Sequence, residues 1–376
     1  MSFRSKLSKM WNNIQYNLFP QLEEDIGIIP SEYKKLISIL ELVRIEEFVK
    51  STRFFPGRPP KDRLAIARAY IAKIVLKIPY TSHLIRLLER DKQLRVICGW
   101  SFLSRIPSPS KFSRAFADFA KYSLPEKAHE ALIKEVYEDQ IVGHVIKDST
   151  PIEAREKPLK KGSAKERKKL KNDKKRKKKS GELNRRQKQL KEKSLEKMIE
   201  DLPKHCDKGM KKSAQGYTTI WKGYKLHAAV DDNCVPLAAI LTSASLNDCE
   251  VAIPLAVKSN QVATNFYDLM DAAYDHPEIK EHSISLGHVP IIDKCPTGKK
   301  QKIEKEKKKQ SEILLNFKTS KGKRYKERFS KERFNALYKD FNGGRNIFYK
   351  GHSKISCHVM FGVLTTAASI IINLIQ

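Results

Sequence analysis

A polar stripe late in the chain has the residue types and spacing of a site for phosphate chemistry. Residues 325–339 contain neither proline nor glycine and are rich in straight-chain side chains, which predicts a helix. Side chains three, four and seven positions apart share one face of a helix. That face carries five polar residues: Tyr325, Arg328, Glu332, Asn335 and Lys339. One carboxylate held between cations could bind a metal ion that carries a phosphate group. A simpler interpretation, an exposed ion pair between Arg328 and Glu332 worth roughly a few tenths of a kcal/mol, stays open.

Two further acids follow apolar segments that are typical of β-strands. Residues 141–147 (IVGHVIK) lead to Asp148, and residues 265–270 (NFYDLM) lead to Asp271. An aspartate at the end of a strand often caps the following turn, and it can equally ligate a hard cation. If Asp148, Asp271 and Glu332 converge at one sheet edge, their like charges require a cation. Two Mg²⁺ ions would satisfy them and would hold the attacking and leaving oxygens of a phosphodiester.

The overall charge points to a polyanion as partner. The 376 residues include 74 Lys and Arg against 43 Asp and Glu, a net charge of +31. Nucleic acid is the commonest partner of such a surplus, and a membrane surface is the competitor. Six cysteines without a CxxC pair argue against a zinc module or a disulfide framework and predict a reducing compartment. The first twenty residues lack an apolar core, so we predict no secretory signal.

Three regions flank or interrupt the predicted strands. Residues 1–140 contain short amphipathic helices with basic outer faces, which slightly favours a helix-turn-helix-like DNA-binding module over a plain helical bundle. Residues 155–212 are lysine-rich, and we interpret them as an insertion that neutralises phosphate, a solvated linker being the alternative. Residues 357–376 are nearly uncharged and as long as a membrane span. A buried helix packed on a sheet is favoured there over a membrane anchor.

The order of elements predicts an α/β fold with a mixed sheet and helices packed on it. The chain runs from a strand through a hairpin, a helix and two more strands to the polar helix. We predict an N-terminal helical arm over residues 1–54 and a helical DNA-binding domain over residues 55–140. A catalytic domain over residues 141–376 follows, interrupted by the basic insertion.

The same residues resemble the three signature blocks of the DDE transposases of bacterial insertion sequences. Three stretches carry the resemblance: Asp148-Ser149-Thr150, Asp271-x-Ala273-Tyr274 and Tyr325-x2-Arg328-x3-Glu332-x6-Lys339. The third, the tyrosine–arginine–glutamate–lysine signature, matches at every spacing. Ala273 departs from the family pattern, which usually has glycine at that position. Residues 223–227 and 246–248 also resemble the intervening strand and loop of the family, and residues 55–120 resemble its helical N-terminal domain.

The resemblance implies an RNase H-like catalytic domain preceded by an all-α domain. It implies that Asp148, Asp271 and Glu332 are the catalytic ligands of two Mg²⁺ or Mn²⁺ ions. It also implies that three further residues bind DNA near the reacting strand end: Tyr325, Arg328 and Lys339. The implied reaction is cleavage at the terminal inverted repeats of the element, followed by strand transfer into target DNA.

The resemblance also implies binding partners for the chain, and two alternative functions stay open. The expected partner is double-stranded DNA, bound by a homodimer in the active complex, in the cytoplasm at the nucleoid and without a membrane. A non-catalytic DNA-binding protein from a domesticated or decayed element is the first alternative. A structure-specific nuclease with the same metal site is the second.

Overall fold

Two compact units make up the chain. The computed structural model describes residues 3–50, 62–158, 183–192, 194–212, 216–293, 298–314, 319–345 and 347–375. The helical unit comprises Met1–Gln140, Ile152–Glu156 and Phe334–Gln376, and the sheet unit comprises Ile141–Pro151 and Lys157–Arg333. Of the predicted basic insertion over residues 155–212, residues 159–182 and 193 lie outside the described residues. The predicted boundaries at 54 and 140 stay a prediction.

Short helices form the N-terminal part of the helical unit. They are α1 (Phe3–Asn13), α2 (Phe19–Ile26), α3 (Ser31–Val43), α4 (Arg63–Val75), α5 (Thr81–Arg90), α6 (Lys92–Ile97), α7 (Pro109–Lys121) and α8 (Leu124–Tyr137). A π-helical turn, Ile14–Leu18, joins the first two. In α7 the apolar stripe Phe112, Phe116 and Phe119 is buried, as its helical spacing predicts. The predicted succession of amphipathic helices is therefore confirmed in the described part of this region.

The sheet unit is built on a six-stranded mixed sheet. Its strands are β1 (Ile141–Glu153), β2 (Asp207–Lys212), β3 (Thr218–Val230), β4 (Pro236–Ser243), β5 (Thr264–Met270) and β6 (Val289–Ile292). The order is β2-β3-β1-β5-β6, with β4 paired to β3. β5 runs parallel to both β1 and β6, whereas β3 runs antiparallel to β2 and β4. This mixed sheet with packed helices confirms the predicted RNase H-like α/β class.

One strand is longer than the sequence predicts. We expected a turn at residues 148–151, but β1 continues to Glu153. The reason is burial on one face, because Thr150 and Ile152 are 3% and 0% exposed and so keep the two-residue alternation of a strand. Pro151 has a fixed φ that an extended backbone accepts, and it removes only one N–H donor.

Helices pack on the sheet and lead into the polar stripe. They are α9 (Arg185–Lys191), α10 (Leu195–Glu200), α11 (Ala252–Asn260), α12 (Pro277–Ser285), α13 (Lys299–Leu314), α14 (Ser320–Tyr325) and α15 (Phe329–Phe341). α11 packs against β3, β4 and β5. A 3₁₀ turn, Lys326–Arg328, joins α14 to α15, so the helix predicted over residues 325–339 is tightened near its start. α15 begins in the sheet unit and ends in the helical unit.

The helical unit is completed by a long apolar helix, α16 (His352–Asn373). It is long and apolar enough to span a membrane, but 83% of its most apolar window is buried inside the protein. Its main partners are α3, α4, α7 and α8, not the sheet that the sequence predicted. A helix that is apolar all round suits this central position among other helices, which is the arrangement of a core helix.

Candidate active site

Asp148 lies in β1, and Asp271 directly follows β5, the neighbouring parallel strand. Ile146 of β1 pairs with Leu269 of β5, and each aspartate follows two positions later. Side chains alternate between the faces of a sheet, so both aspartates project to one face. Neighbouring strands are about 4.8 Å apart, and both side chains are half-buried. Two carboxylates are therefore held side by side by the register of the sheet.

The electrostatics of Asp271 reflect this arrangement. Burial raises the pKa of the Asp271 carboxyl, and the neighbouring carboxylates of Asp148 and Asp248 raise it further. The backbone N–H of Ala273, which donates to Oδ1 at 2.9 Å, and the Arg328 guanidinium act in the opposite direction. The net result is a raised pKa, so the ionised form of Asp271 is disfavoured until a cation compensates it.

Arg328 and Tyr325 stand beside these acids. Arg328 Nη1 donates to the Tyr325 hydroxyl at 2.7 Å, and the Tyr325 ring packs against a buried apolar cluster: Ile146, Leu269 and Ile291. Burial lowers the pKa of Arg328, but Tyr325, Asp148 and Asp271 outweigh it and raise the value. Its Nε is buried and has no hydrogen-bond partner among the described residues. A charged donor left unsatisfied next to two aspartates fits a phosphate oxygen.

The third predicted acid lies apart from this pair. Glu332 is in the first turn of α15, and its side chain is exposed. In the part of the chain that the structure describes, no three His, Cys, Asp or Glu side chains form a group that could hold a metal ion. Ionised oxygens are the ligands that hard cations prefer, and Asp148 and Asp271 supply two neighbouring carboxylates. Lys339 lies two turns beyond Glu332 and belongs to the helical unit. The roles of these side chains stay predictions.

Comparison with known protein families shows which family this chain belongs to. Residues 143–366, more than half of the chain, match the family model described as "Transposase DDE domain", and this range contains every predicted site residue. The chain belongs to the DDE transposase family. Residues 21–118 match a second model, "Transposase domain (DUF772)". A search of the curated proteins found no significant match, and neither did a search of the solved structures.

The family match confirms the resemblance in its coarse terms. DDE transposases act on DNA, they generally use divalent metal ions, and they are generally soluble proteins of the cytoplasm. The half-buried pair Asp148 and Asp271 belongs to the DDE domain of this transposase, as does the exposed Glu332.

Sequence reasoning did not single out two residues that lie close to the acid pair. Asp248 influences the pKa of Asp271, and its own Oδ1 accepts a hydrogen bond from Lys225 Nζ at 2.8 Å. Tyr274 is buried, and its hydroxyl has no hydrogen-bond partner among the described residues. Burial raises the pKa of Tyr274 well above its usual value, and the Asp248, Asp148 and Asp271 carboxylates raise it further. The hydroxyl is therefore a protonated donor beside the acids of the transposase.

The signals for both residues were present in the sequence. Tyr274 ends the second signature block, and Asp248 ends the loop at residues 246–248 that resembles the family. What the sequence did not reveal is their distance from the acids. That distance depends on how the segments that follow β4 and β5 meet.

A buried ion pair lies behind the acids, on the opposite face of the sheet. Lys147 Nζ and Asp268 Oδ1 are 2.8 Å apart, with side chains 1% and 0% exposed. Burial raises the pKa of Asp268, but Lys147 and His288 outweigh it and hold the pKa below its usual range. Ser283 Oγ donates to the second carboxylate oxygen at 2.7 Å. The pair joins the two strands that carry Asp148 and Asp271.

A second polar cluster fastens α14 to the sheet. His144 Nδ1 lies 2.8 Å from Asp232 Oδ1, and Arg324 Nη1 lies 3.3 Å from His144 Nε2. Arginine can only donate, so Nε2 is the acceptor in this contact and Nδ1–H is the donor to Asp232. The Arg324 guanidinium also lies over the Tyr267 ring, 4.1 Å from its centre. Arg324 immediately precedes Tyr325, so the cluster fixes where the signature segment begins.

Proposed function

We propose that this chain is a transposase that cleaves DNA at the terminal inverted repeats of an insertion sequence. It then transfers the released strand into target DNA. The observation that carries the proposal is the Asp148 and Asp271 pair beside Arg328, whose buried Nε has no acceptor among the described residues. The pKa of Asp271 is raised beside a second carboxylate, which calls for a cation, and an unsatisfied guanidinium calls for an anion. A phosphodiester with divalent ions provides both.

In this proposal Asp148, Asp271 and Glu332 hold two Mg²⁺ or Mn²⁺ ions. When bound, such ions act as Lewis acids that stabilise charge on the phosphodiester oxygens. Asp148 and Asp271 are preset by the parallel register of β1 and β5. Glu332 completes the set from the first turn of α15, one helical turn after Arg328.

Four basic and aromatic side chains position the DNA. Arg328 donates to a phosphate oxygen near the reacting strand end, and Tyr325 orients its guanidinium through the 2.7 Å hydrogen bond. Lys339 contacts the backbone as a point charge. The buried Tyr274 hydroxyl keeps its proton and can donate to an oxygen of the reacting phosphate. The region matched by the second transposase model, residues 21–118, supplies further DNA contacts.

The assembly follows from the reaction. Two element ends must be joined to one target, so a homodimer with one end on each subunit is the smallest active complex. The chain works in the cytoplasm at the nucleoid, where its net charge of +31 is matched by DNA.

A strand-transfer assay with the cognate element ends and Mg²⁺ or Mn²⁺ tests the proposal. Asp148→Asn, Asp271→Asn and Glu332→Gln should each abolish cleavage and leave DNA binding intact. Glu327→Gln is a matched control, because Glu327 is an exposed glutamate five positions before Glu332. Strand transfer by the Asp271→Asn or Glu332→Gln protein would refute the corresponding ligand.

The alternative function is non-catalytic DNA binding by a decayed or domesticated transposase. The observation that favours it is the exposed Glu332, which forms no metal-binding group with the other acids in the described structure. This alternative predicts tight, salt-sensitive binding without cleavage in the same assay. Cleavage that ignores the sequence of the terminal repeats would instead indicate a structure-specific nuclease.

A further inference from the structure

β2 and the first half of β3 form a two-stranded antiparallel ribbon, here named the β2–β3 ribbon. Its cross-strand pairs are Lys208–Lys222, Gly209–Trp221, Met210–Ile220, Lys211–Thr219 and Lys212–Thr218. β2 is at the edge of the sheet, so the ribbon has no further strand on that side. Of the residues between the two strands, 213–215 lie outside the described residues.

The inner face of the ribbon is closed by a tight packing contact. A Cβ atom on Gly209 would lie 2.2 Å from the Trp221 ring, so only glycine fits beneath the indole. Trp221 is 6% exposed, and its Nε1 donates to the carbonyl of Tyr224 at 3.0 Å. A shift of one residue in the register would put Trp221 on the wrong face. This packing fixes the register of the ribbon, so the face that carries Met210 and Ile220 points outward.

The outer face combines exposed apolar side chains with lysines. Met210 and Ile220, directly opposite each other, are 65% and 64% exposed. Lys208 and Lys222 form the neighbouring pair on the same face, and both are exposed. Like charges directly opposite each other destabilise a strand pair. No carboxylate within the described ranges forms an ion pair with either lysine. Such a face gains free energy when a polyanion covers it.

We propose that the outer face of the β2–β3 ribbon is a DNA-binding surface of its own. This inference rests on the proposed function only in that DNA is taken as the ligand. A two-stranded ribbon fits the major groove, which is about 12 Å wide, and six residues of strand extend about 20 Å along it. Lys208 and Lys222 contact phosphates, while Met210 and Ile220 contact apolar base edges such as thymine methyl groups. Repulsion between lysines disfavours a second copy of this chain on the same face.

Salt-dependent binding of a labelled duplex, followed by fluorescence anisotropy, tests the ribbon. The double variant Lys208→Gln/Lys222→Gln should bind about tenfold more weakly at moderate salt. Its log K against log [salt] slope should shrink by about 1.8, since each phosphate contact contributes about 0.9. Met210→Ser/Ile220→Thr should weaken binding with an unchanged slope. Lys9→Gln/Lys354→Gln, two exposed lysines on α1 and α16 that lie outside the lysine-rich insertion, is the matched control and should bind like the wild type.

Each outcome decides one of the two proposals. A wild-type protein that does not bind DNA would overturn the proposed function. Wild-type binding with unchanged affinity and slope in both ribbon variants would overturn the ribbon and leave the proposed function standing. The oligomeric state of the ribbon variants is measured by sedimentation. Variants that no longer form a dimer but keep their DNA affinity would show that this face mediates self-association, which would refute the inference. Melting temperatures check that every variant folds.

Discussion

Asp148 raises the pKa of Asp271 because the parallel register of β1 and β5 places the two carboxylates at one level on the same face of the sheet. Burial contributes first, and the neighbouring charge adds to it. Two carboxylates this close to each other destabilise the folded protein when no ion is bound, and a bound cation removes that destabilisation.

Divalent ions should stabilise the protein through this pair. Millimolar Mg²⁺ should raise the melting temperature of the wild type, since a ligand that binds only the folded state stabilises it by mass action. Asp271→Asn should melt higher than the wild type without Mg²⁺ at neutral pH, because the folded state disfavours the ionised carboxyl. The Mg²⁺ response of this variant should be lost. A Glu327→Gln control should keep the full response, and an equal response in Asp271→Asn would contradict the pair as an ion site.

Breaking the buried ion pair from one side should be costly. Lys147→Met leaves the fully buried Asp268 carboxylate without its main partner, and the free energy of unfolding should fall by about 3–5 kcal/mol. Lys147→Met/Asp268→Leu removes both charges and should recover most of that loss. Denaturant unfolding of the three proteins measures the difference. A single variant within about 1 kcal/mol of the wild type would show that the pair does not hold the strands.

The cluster around His144 should affect catalysis more than DNA affinity. His144→Ala removes the acceptor for Arg324 and the link to Asp232, so the signature segment loses its fixed start. Misplacement of about 1 Å can lower a rate by about 100-fold, and we expect a loss of cleavage approaching that value. Tyr267→Phe keeps the ring under Arg324 and should cleave normally. Equal cleavage by both variants would rule out this positioning role.

A methyl group should not fit at Gly362 of α16. A Cβ there would lie 2.4 Å from the Asn342 carbonyl oxygen and 2.8 Å from the Tyr338 ring. Gly362→Ala should therefore lower the free energy of unfolding by about 1–3 kcal/mol, in spite of the better helix propensity of alanine. Ser369→Ala on the same helix should change it by less than about 0.5 kcal/mol. Unfolding curves for both variants decide whether the backbones approach as closely as described.

Acid should destabilise the protein through its buried histidines. Burial lowers the pKa of His227 and of His358 from 6.5 to about 3. The unfolded chain therefore binds more protons than the folded chain between pH 6.5 and 3, and stability is full above this window and lost as the pH falls through it. Each histidine contributes a slope of about 1.4 kcal/mol per pH unit there. His358→Gln should show a shallower slope, and an identical slope would mean that His358 is protonated in the folded state.

The local spacing of apolar residues in the sequence was sufficient to predict many of the helices and strands. The stripe Phe112, Phe116 and Phe119 repeats at helical spacing and is buried as predicted, because helix burial follows directly from that period. Apolar runs ending at Asp148 and Asp271 marked β1 and β5, although β1 extends further than expected. The resemblance to the DDE transposases came from residue types and spacing within three short segments, which can be read directly from a sequence.

Properties that depend on contacts between distant segments could not be predicted. Lys147 and Asp268 are neighbours only because β1 and β5 pair in one register, and nothing local to either residue specifies that register. The same holds for Gly209 beneath Trp221, where a glycine in a strand signals a close approach but not its partner. Asp248 reaches the acid pair through a loop, and loop paths follow from the elements that they join.

The position of α16 has a consequence for biosynthesis. Its residues fill the space between α3, α4, α7 and α8, yet the ribosome makes them only after the entire sheet unit. Domains usually fold in order as the chain emerges, but here the earliest helices must wait for a distant segment. We therefore expect the apolar faces that α16 covers to remain exposed while translation continues, and exposed apolar surface is prone to aggregation.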